Sequence, residues 1–244
     1  MIESIKNNLF KALHLGKGYP LSVCGRSFRF DESLRRFRAD SEAVIQKVIE
    51  NRLPEAGFFI DIGANFGLHT LLGCDLVGPR GQVLAVEPVP ENLRLLRRNL
   101  ELNGFTERCV IAEMALADGS CERVGMTIEP GISLAASIAE NFEGDKIEVP
   151  AGTLDQLIIG KNVVPDLVKI DVEGAEHEVL KGAVELLKHG PPLLIEVHRF
   201  ALGHFGSSAG LLERFLESFG YREERLDEVK GKLGDYHHSL FISG

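Results

Sequence analysis

An apolar run that ends in an acid and passes straight into a glycine-bearing turn restricts what can surround it, and residues 58–67, FFIDIGANFG, form such a run. Adjacent apolar residues at Phe58, Phe59 and Ile60 predict a strand covered on both faces, as in a parallel sheet, with Asp61 at its carboxyl end. Gly63 and Gly67 supply a tight turn and allow close approach of backbone to a ligand, because neither carries a Cβ. Leu68 to Val77 then reads as an apolar helix leaving the turn. Strand, turn and helix in this order form a nucleotide-site signature.

The spacing narrows the nucleotide. A dinucleotide fingerprint needs GxGxxG, but its third position here is Asn65 and its sixth is Leu68; a P-loop fails because no GK[ST] follows. S-adenosylmethionine carries no phosphate, and its positive sulfonium and ammonium suit an acid such as Asp61 near the turn. A second apolar run, Gln82 to Val86, ends in Glu87-Pro88, 26 positions beyond Asp61. That separation holds one helix and a return strand, which places Glu87 where a carboxylate accepts hydrogen bonds from both ribose hydroxyls. The expected cofactor set is Asp61, Gly63, Asn65, Gly67 and Glu87, with Met114 and Ala115 at the end of the next strand and Asp171 further on. Pro88 and Pro90 interrupt the backbone. Glu91 to Leu102 then reads as a helix with Leu93, Leu96 and Leu100 on one face, ended by Asn103-Gly104.

At 244 residues and 44% hydrophobic, the chain can bury a full core as one α/β domain with an N-terminal extension. Residues 1–53 are expected to form a helical cap with a hairpin around Ser22 to Phe30, and 54–244 the main domain. Strands are expected near 57–61, 82–87, 108–114, 166–171 and 192–197, with helices in most gaps, the pattern of a doubly wound sheet. Residues 119–150 read as an inserted hairpin or loop facing the substrate. A net charge of −9 argues against nucleic acid as a partner. Four cysteines without a CxxC pair read as reduced thiols. No apolar stretch reaches the roughly 18 residues of a membrane span and no signal-peptide core is present, so a cytoplasmic protein is expected. Ile2, Ile5, Leu9 and Leu13 suggest a short amphipathic helix that packs or dimerises. Oligomeric state has no signal in the sequence.

A second chemical motif is DLVKIDVEGAE, residues 166–176, where a strand over Leu167 to Ile170 ends in Asp171 and Glu173 before a helix at Gly174. With Glu176, three carboxylates converge on one strand end, more than helix capping needs. Ala175, Val179, Ala183, Leu186 and Leu187 would form the helix's buried face. The next strand ends in Glu196-Val197-His198, and alternation puts Glu196 and His198 on one side. Asp171 with His198 then reads as an orienting acid and a general base, with Glu173 in the same catalytic group.

These pieces together resemble the FkbM family of SAM-dependent methyltransferases. The resemblance rests on DIGANFGLHT, Glu87-Pro88, ALADG at Ala115 to Gly119, TLDQL at Thr153 to Leu157, KIDVEGAEHEVLKGA at Lys169 to Ala183 and LLIEVH at Leu193 to His198. It implies a class I methyltransferase (Rossmann-like) fold: a doubly wound, mostly parallel seven-stranded sheet with helices on both faces, closed by an antiparallel last strand near His238 to Ile242. It further implies O-methylation of a hydroxyl on a small natural product, lipid or glycan, with His198 as base. No metal is required in that mechanism; the competing version has Asp171, Glu173, Glu176 and His198 hold Mg²⁺. Two other readings stand beside it, a nicotinamide-dependent oxidoreductase and a catalytically silent SAM-binding module.

Overall fold

The computed structural model describes residues 16–38, 42–128, 136–137, 145–160, 163–231 and 234–244. Two short strands at the start, β1 (Tyr19–Val23) and β2 (Arg26–Phe30), pair antiparallel with Ser22 opposite Ser27. Helix α1 (Ala43–Arg52) leads into β3 (Phe58–Ile62), α2 (Leu68–Val77), β4 (Gln82–Val86), α3 (Pro90–Asn103) and β5 (Cys109–Ala112). Next come β6 (Ala115–Leu116), β7 (Arg123–Ile128), β8 (Ala136–Ser137), β9 (Asp145–Gly152) and α4 (Leu154–Ile158). The chain returns through β10 (Leu167–Ile170), α5 (Glu176–Lys181), α6 (Val184–Leu187) and β11 (Leu193–His198), and ends in α7 (Ala209–Glu217), β12 (Tyr221–Arg225), β13 (Val229–Gly231) and β14 (Gly234–Ser243). The stripe at Ile2 to Leu13 lies outside the described residues.

The main sheet runs β12-β14-β11-β10-β3-β4-β5, with β13 paired to β14. Strands β11, β10, β3, β4 and β5 are parallel, and β14 lies antiparallel between β11 and β12. From β3 the chain builds outward through β4 and β5, then crosses back to β10. The carboxyl ends of β3 and β10 are therefore the topological switch point, where an open α/β sheet forms its crevice.

Every residue of β3 and β10 is buried, as the apolar runs predict. Alternation splits them between two cores. Phe59 joins Leu71, Leu96 and Leu100 of α2 and α3, whereas Ile60 and Val168 join Val179, Leu180 and Leu212 on the opposite face. Val23, Phe28 and Phe30 of the hairpin are buried in the first of these cores, beside Ile45 and Ile49 of α1. Asn99 and Asn103 of α3 fasten the hairpin through its backbone: Asp31 N–H donates to Asn99 Oδ1 at 2.7 Å and Arg29 N–H to Asn103 Oδ1 at 2.9 Å.

Two local expectations are corrected. Pro90 does not interrupt the helix but opens it, because its missing N–H falls where a first helical residue has no partner anyway. The single helix after Gly174 is two, α5 and α6, divided at Gly182, where a Cβ would stand 2.1 Å from the Ala117 carbonyl oxygen. Its expected buried face is nonetheless buried at Ala175, Val179, Ala183, Leu186 and Leu187. In the insert, β7 and β9 pair antiparallel and β9 also pairs with β6.

Candidate functional site

The turn after β3 is shaped by close backbone contact. Gly63 has φ +76°, and a Cβ on it would meet the Asp171 carbonyl oxygen at 1.8 Å, so the ends of β3 and β10 touch through a position that only glycine fits. Asn65 follows at φ +52°, and its N–H donates to Glu87 Oε2 at 2.8 Å.

Two clefts open on either side of this turn. The first is lined by Gly63, Asn65, Glu87, Asn92, Met114 and Ala115, with Met126 of β7 across from them. The second, about 430 Å³, is lined among others by Glu42, His69, Lys169, Glu196, Asp227 and His238. Four residues line both: Gly63, Asn65, Asp171 and Glu173.

Glu87 is 4% exposed, and burial pushes its carboxyl up. Its oxygens already accept from Asn65 N–H, Val89 N–H and Asn92 Nδ2 at 2.8, 2.8 and 3.2 Å. A carboxylate offers roughly four acceptor positions, so one further hydrogen bond fits where two were expected.

Asp61 lines neither cleft, contrary to the expectation that it faces the cofactor. It has no exposure; Thr70 Oγ1 donates to it at 2.6 Å and Lys169 Nζ lies 3.5 Å away. The lysine also reaches Asp171 at 3.2 Å, tying the two strand ends together. Burial works against its charge, yet Asp171 and Asp61 outweigh it and hold the ammonium protonated. Gly67 is likewise outside the clefts. It begins α2 at φ +94°, where a Cβ would meet Leu96 Cδ1 at 2.6 Å, so its role is packing.

His198 is also placed differently from the expectation. It lines neither cleft but lies behind Glu173 and Glu196, with Nε2 3.3 Å from a carboxylate oxygen of each. Glu176 Oε1, and not Asp171, sits against Nδ1 at 2.8 Å. Burial alone would lower the imidazole, but the hydrogen bonds to Glu176 and Glu196 push it up to about 12. A ring with a carboxylate at each nitrogen is an imidazolium, unable to accept a proton, so it is not the base of this arrangement. Glu173, at φ +53°, stands between His198 and both clefts, and burial pushes its carboxyl up to about 7 against the pull of His198.

Several side chains here were not singled out from the sequence. Lys169 carried a readable signal, a lone lysine in an otherwise apolar strand. Glu42, 3.2 Å from His69, is pushed by burial up to about 7. His238 joins Glu196 at 3.1 Å to Asp227 at 2.9 Å. These contacts come from separate segments and leave no spacing in the sequence.

The doubly wound sheet with its crevice at the β3/β10 switch point is the fold of class I methyltransferases, whose methyl donor is S-adenosylmethionine. Residues 61–223 match the methyltransferase FkbM domain, and the chain belongs to that family. A crystal structure of the FkbM methyltransferase of Methylobacillus flagellatus KT superposes with a TM-score of 0.51 at 20% identity, over 76% of this chain and 43% of that one. The chain is similar to protein-L-isoaspartate O-methyltransferase of Methanothrix thermoacetophila, 31% identical over 45% of this chain and 55% of that protein. It is also similar to hexuronic acid methyltransferase AglP of Haloferax volcanii, 25% identical over 68% of this chain and 65% of that protein. The chain spans about half the length of the curated relatives it matches. Among the described residues, no helix is long and apolar enough to cross a membrane.

Proposed function

We propose that this chain transfers the methyl group of S-adenosylmethionine to a hydroxyl oxygen of a small natural product, lipid or glycan. The observation that carries the reading is the pair of clefts joined at Gly63, Asn65, Asp171 and Glu173, one with a buried carboxylate at Glu87 and the other walled by acids. The first fits the cofactor. Gly63 brings the backbone close with no side chain in the way, and Glu87 keeps one acceptor position for a ribose hydroxyl. When bound, S-adenosylmethionine supplies an already activated methyl group. Met114, Ala115 and Asn92 complete that wall.

The second cleft takes the acceptor. Glu42, Asp171, Glu173, Glu196 and Asp227 repel a carboxylate acceptor such as an isoaspartyl group, and carboxylates readily accept hydrogen bonds from hydroxyls. Glu173 reaches both clefts and is the base that receives the hydroxyl proton. His198 positions Glu173 and Glu196 from behind. Lys169 fixes Asp171 against Asp61, and with the turn at Gly63 this keeps the acceptor edge close to the donor cleft.

The test is a screen for S-adenosylhomocysteine release with matched acceptors that differ in bearing a hydroxyl or a carboxylate. Turnover confined to hydroxyl acceptors is expected. Turnover confined to carboxylates would reject the hydroxyl reading, and S-adenosylmethionine binding without turnover on any acceptor would favour a silent binding module.

A further inference from the structure

Beside the meeting of the clefts lies a donor set to which acid–base chemistry alone gives no more than a positioning role. Oxygens of Asp171 and Glu196 and a ring nitrogen of His198 all lie within 4.8 Å of one another, close enough to converge on one ion. Behind the ring, Glu176 is fully buried, with Oε1 2.8 Å from Nδ1 and Oε2 lacking any hydrogen-bond partner. A carboxylate behind one imidazole nitrogen, with the other turned toward oxygen donors, is how proteins orient a metal-ligating histidine. Charge points the same way, since the four carboxylates Asp171, Glu173, Glu176 and Glu196 face only Lys169 and two imidazoles, His198 and His238, among these contacts. A second trio, Glu213, Glu223 and His237, has the same spread, but Arg225 lies 3.3 and 3.2 Å from its two carboxylates and Arg199 donates to His237 Nδ1 at 3.2 Å. Arg225 thus neutralises both carboxylates of that second cluster, whereas in the first Lys169 meets Asp171 and not Glu196.

We propose that Asp171, Glu196 and His198 bind one divalent cation of the Mg²⁺ or Mn²⁺ class, with His198 Nε2 exchanging its proton for the ion, and that this ion holds the acceptor's hydroxyl oxygen. The proposal rests on the methyl-transfer reading of the cleft pair. Two carboxylates and one imidazole suit these oxygen-seeking ions better than thiolate-seeking ones. Three protein donors leave about three positions of an octahedron for water and the acceptor. The oxygen so held loses its proton to Glu173 as the O–CH₃ bond forms and the S–CH₃ bond breaks, its electron pair remaining on sulfur. Glu176 is a positioning residue in this scheme.

The test begins with chelator-stripped protein titrated with Mn²⁺ alone, free Mn²⁺ being read by its electron paramagnetic resonance. One Mn²⁺ per chain is expected. Glu196→Gln and Asp171→Asn, both checked for native circular dichroism, should each weaken it by roughly tenfold or more, and Glu223→Gln in the second cluster should leave it unchanged. Stripped protein should form S-adenosylhomocysteine with its acceptor only after Mn²⁺ or Mg²⁺ is returned. No uptake at about millimolar Mn²⁺, or equal uptake by the wild type and both variants, would overturn the site. Methyl transfer undiminished in chelator would also remove the ion while leaving methyl transfer standing. Saturable Mn²⁺ uptake by a protein that never forms S-adenosylhomocysteine would keep the ion and sink the methyl-transfer reading instead.

Discussion

Glu87 and Glu173 carry most of the proposed division of labour between the two clefts, and each can be tested by an amide substitution. Glu87 retains one acceptor position; Glu87→Gln forfeits the charge-assisted hydrogen bond made there, worth about 1.5–3 kcal/mol, and also turns one oxygen that accepts an N–H into a donor, so S-adenosylmethionine affinity should fall at least about 10-fold. Calorimetry giving wild-type affinity in the folded variant would remove Glu87 from the donor cleft. Glu173→Gln should bind the donor nearly as well yet turn over about 10²- to 10⁴-fold more slowly, read as a fall in kcat with little change in donor Kd. A Glu173→Gln protein with wild-type kcat would leave the base elsewhere. Residue identities at both positions were legible in the sequence, because acids at strand ends are placed by strand spacing alone. Roles were less so. Asp61 stands in the same kind of position as Glu87 but faces Thr70 and Lys169, and the expected base His198 is enclosed by three carboxylates. Which way a strand-end side chain turns depends on the neighbouring strand, and no local pattern records it.

At the scale of elements, periodicity was enough to find β3, α2, β4 and α3, since each buries a run or stripe that its own sequence displays. The insertion of β14 between β11 and β12 is non-local, and a list of strands in chain order does not contain it. The N-terminal hairpin depends on such a distant contact. Asn99 is fully buried and serves two elements at once, accepting from Asp31 N–H at 2.7 Å and donating to the Phe66 carbonyl at 2.7 Å. Asn99→Ala strands both backbone groups, a loss of about 1–3 kcal/mol for each group left buried and unpaired. Because Phe66 also packs edge-on against Phe30 at 6.1 Å between ring centres, the hairpin and the turn between β3 and α2 should loosen together. Urea denaturation should show a lower midpoint, and hydrogen exchange should rise in residues 26–31 and 63–67 before the rest of the sheet. Loss of stability with exchange unchanged in both segments would show that the hairpin is held by its apolar contacts alone.

For the whole molecule, the net charge of −9 does not make acid uniformly stabilising, because one fully buried histidine that lines neither cleft resists protonation. His237 sits in β14 with Arg199 Nε 3.2 Å from Nδ1 and Glu223 Oε1 3.4 Å from Nε2; Arg225 and Glu228 complete the charges around it. Burial, with Arg225 and Arg199 adding to it, lowers the imidazole from its ordinary 6.5 to about 4. The folded-state value lies below the unfolded one, so between these limits the unfolded chain binds a proton that the folded chain refuses. The stability tied to His237 is therefore fully present above pH 6.5 and is lost as pH falls toward 4. His237→Gln keeps an acceptor for Arg199 but does not titrate. Its Tm should fall less than that of the wild type between pH 6.5 and 4, the two curves running parallel above pH 7. Parallel curves across the whole range would mean that His237 protonates in the fold as easily as in the unfolded chain, and the acid limb would then belong to other groups.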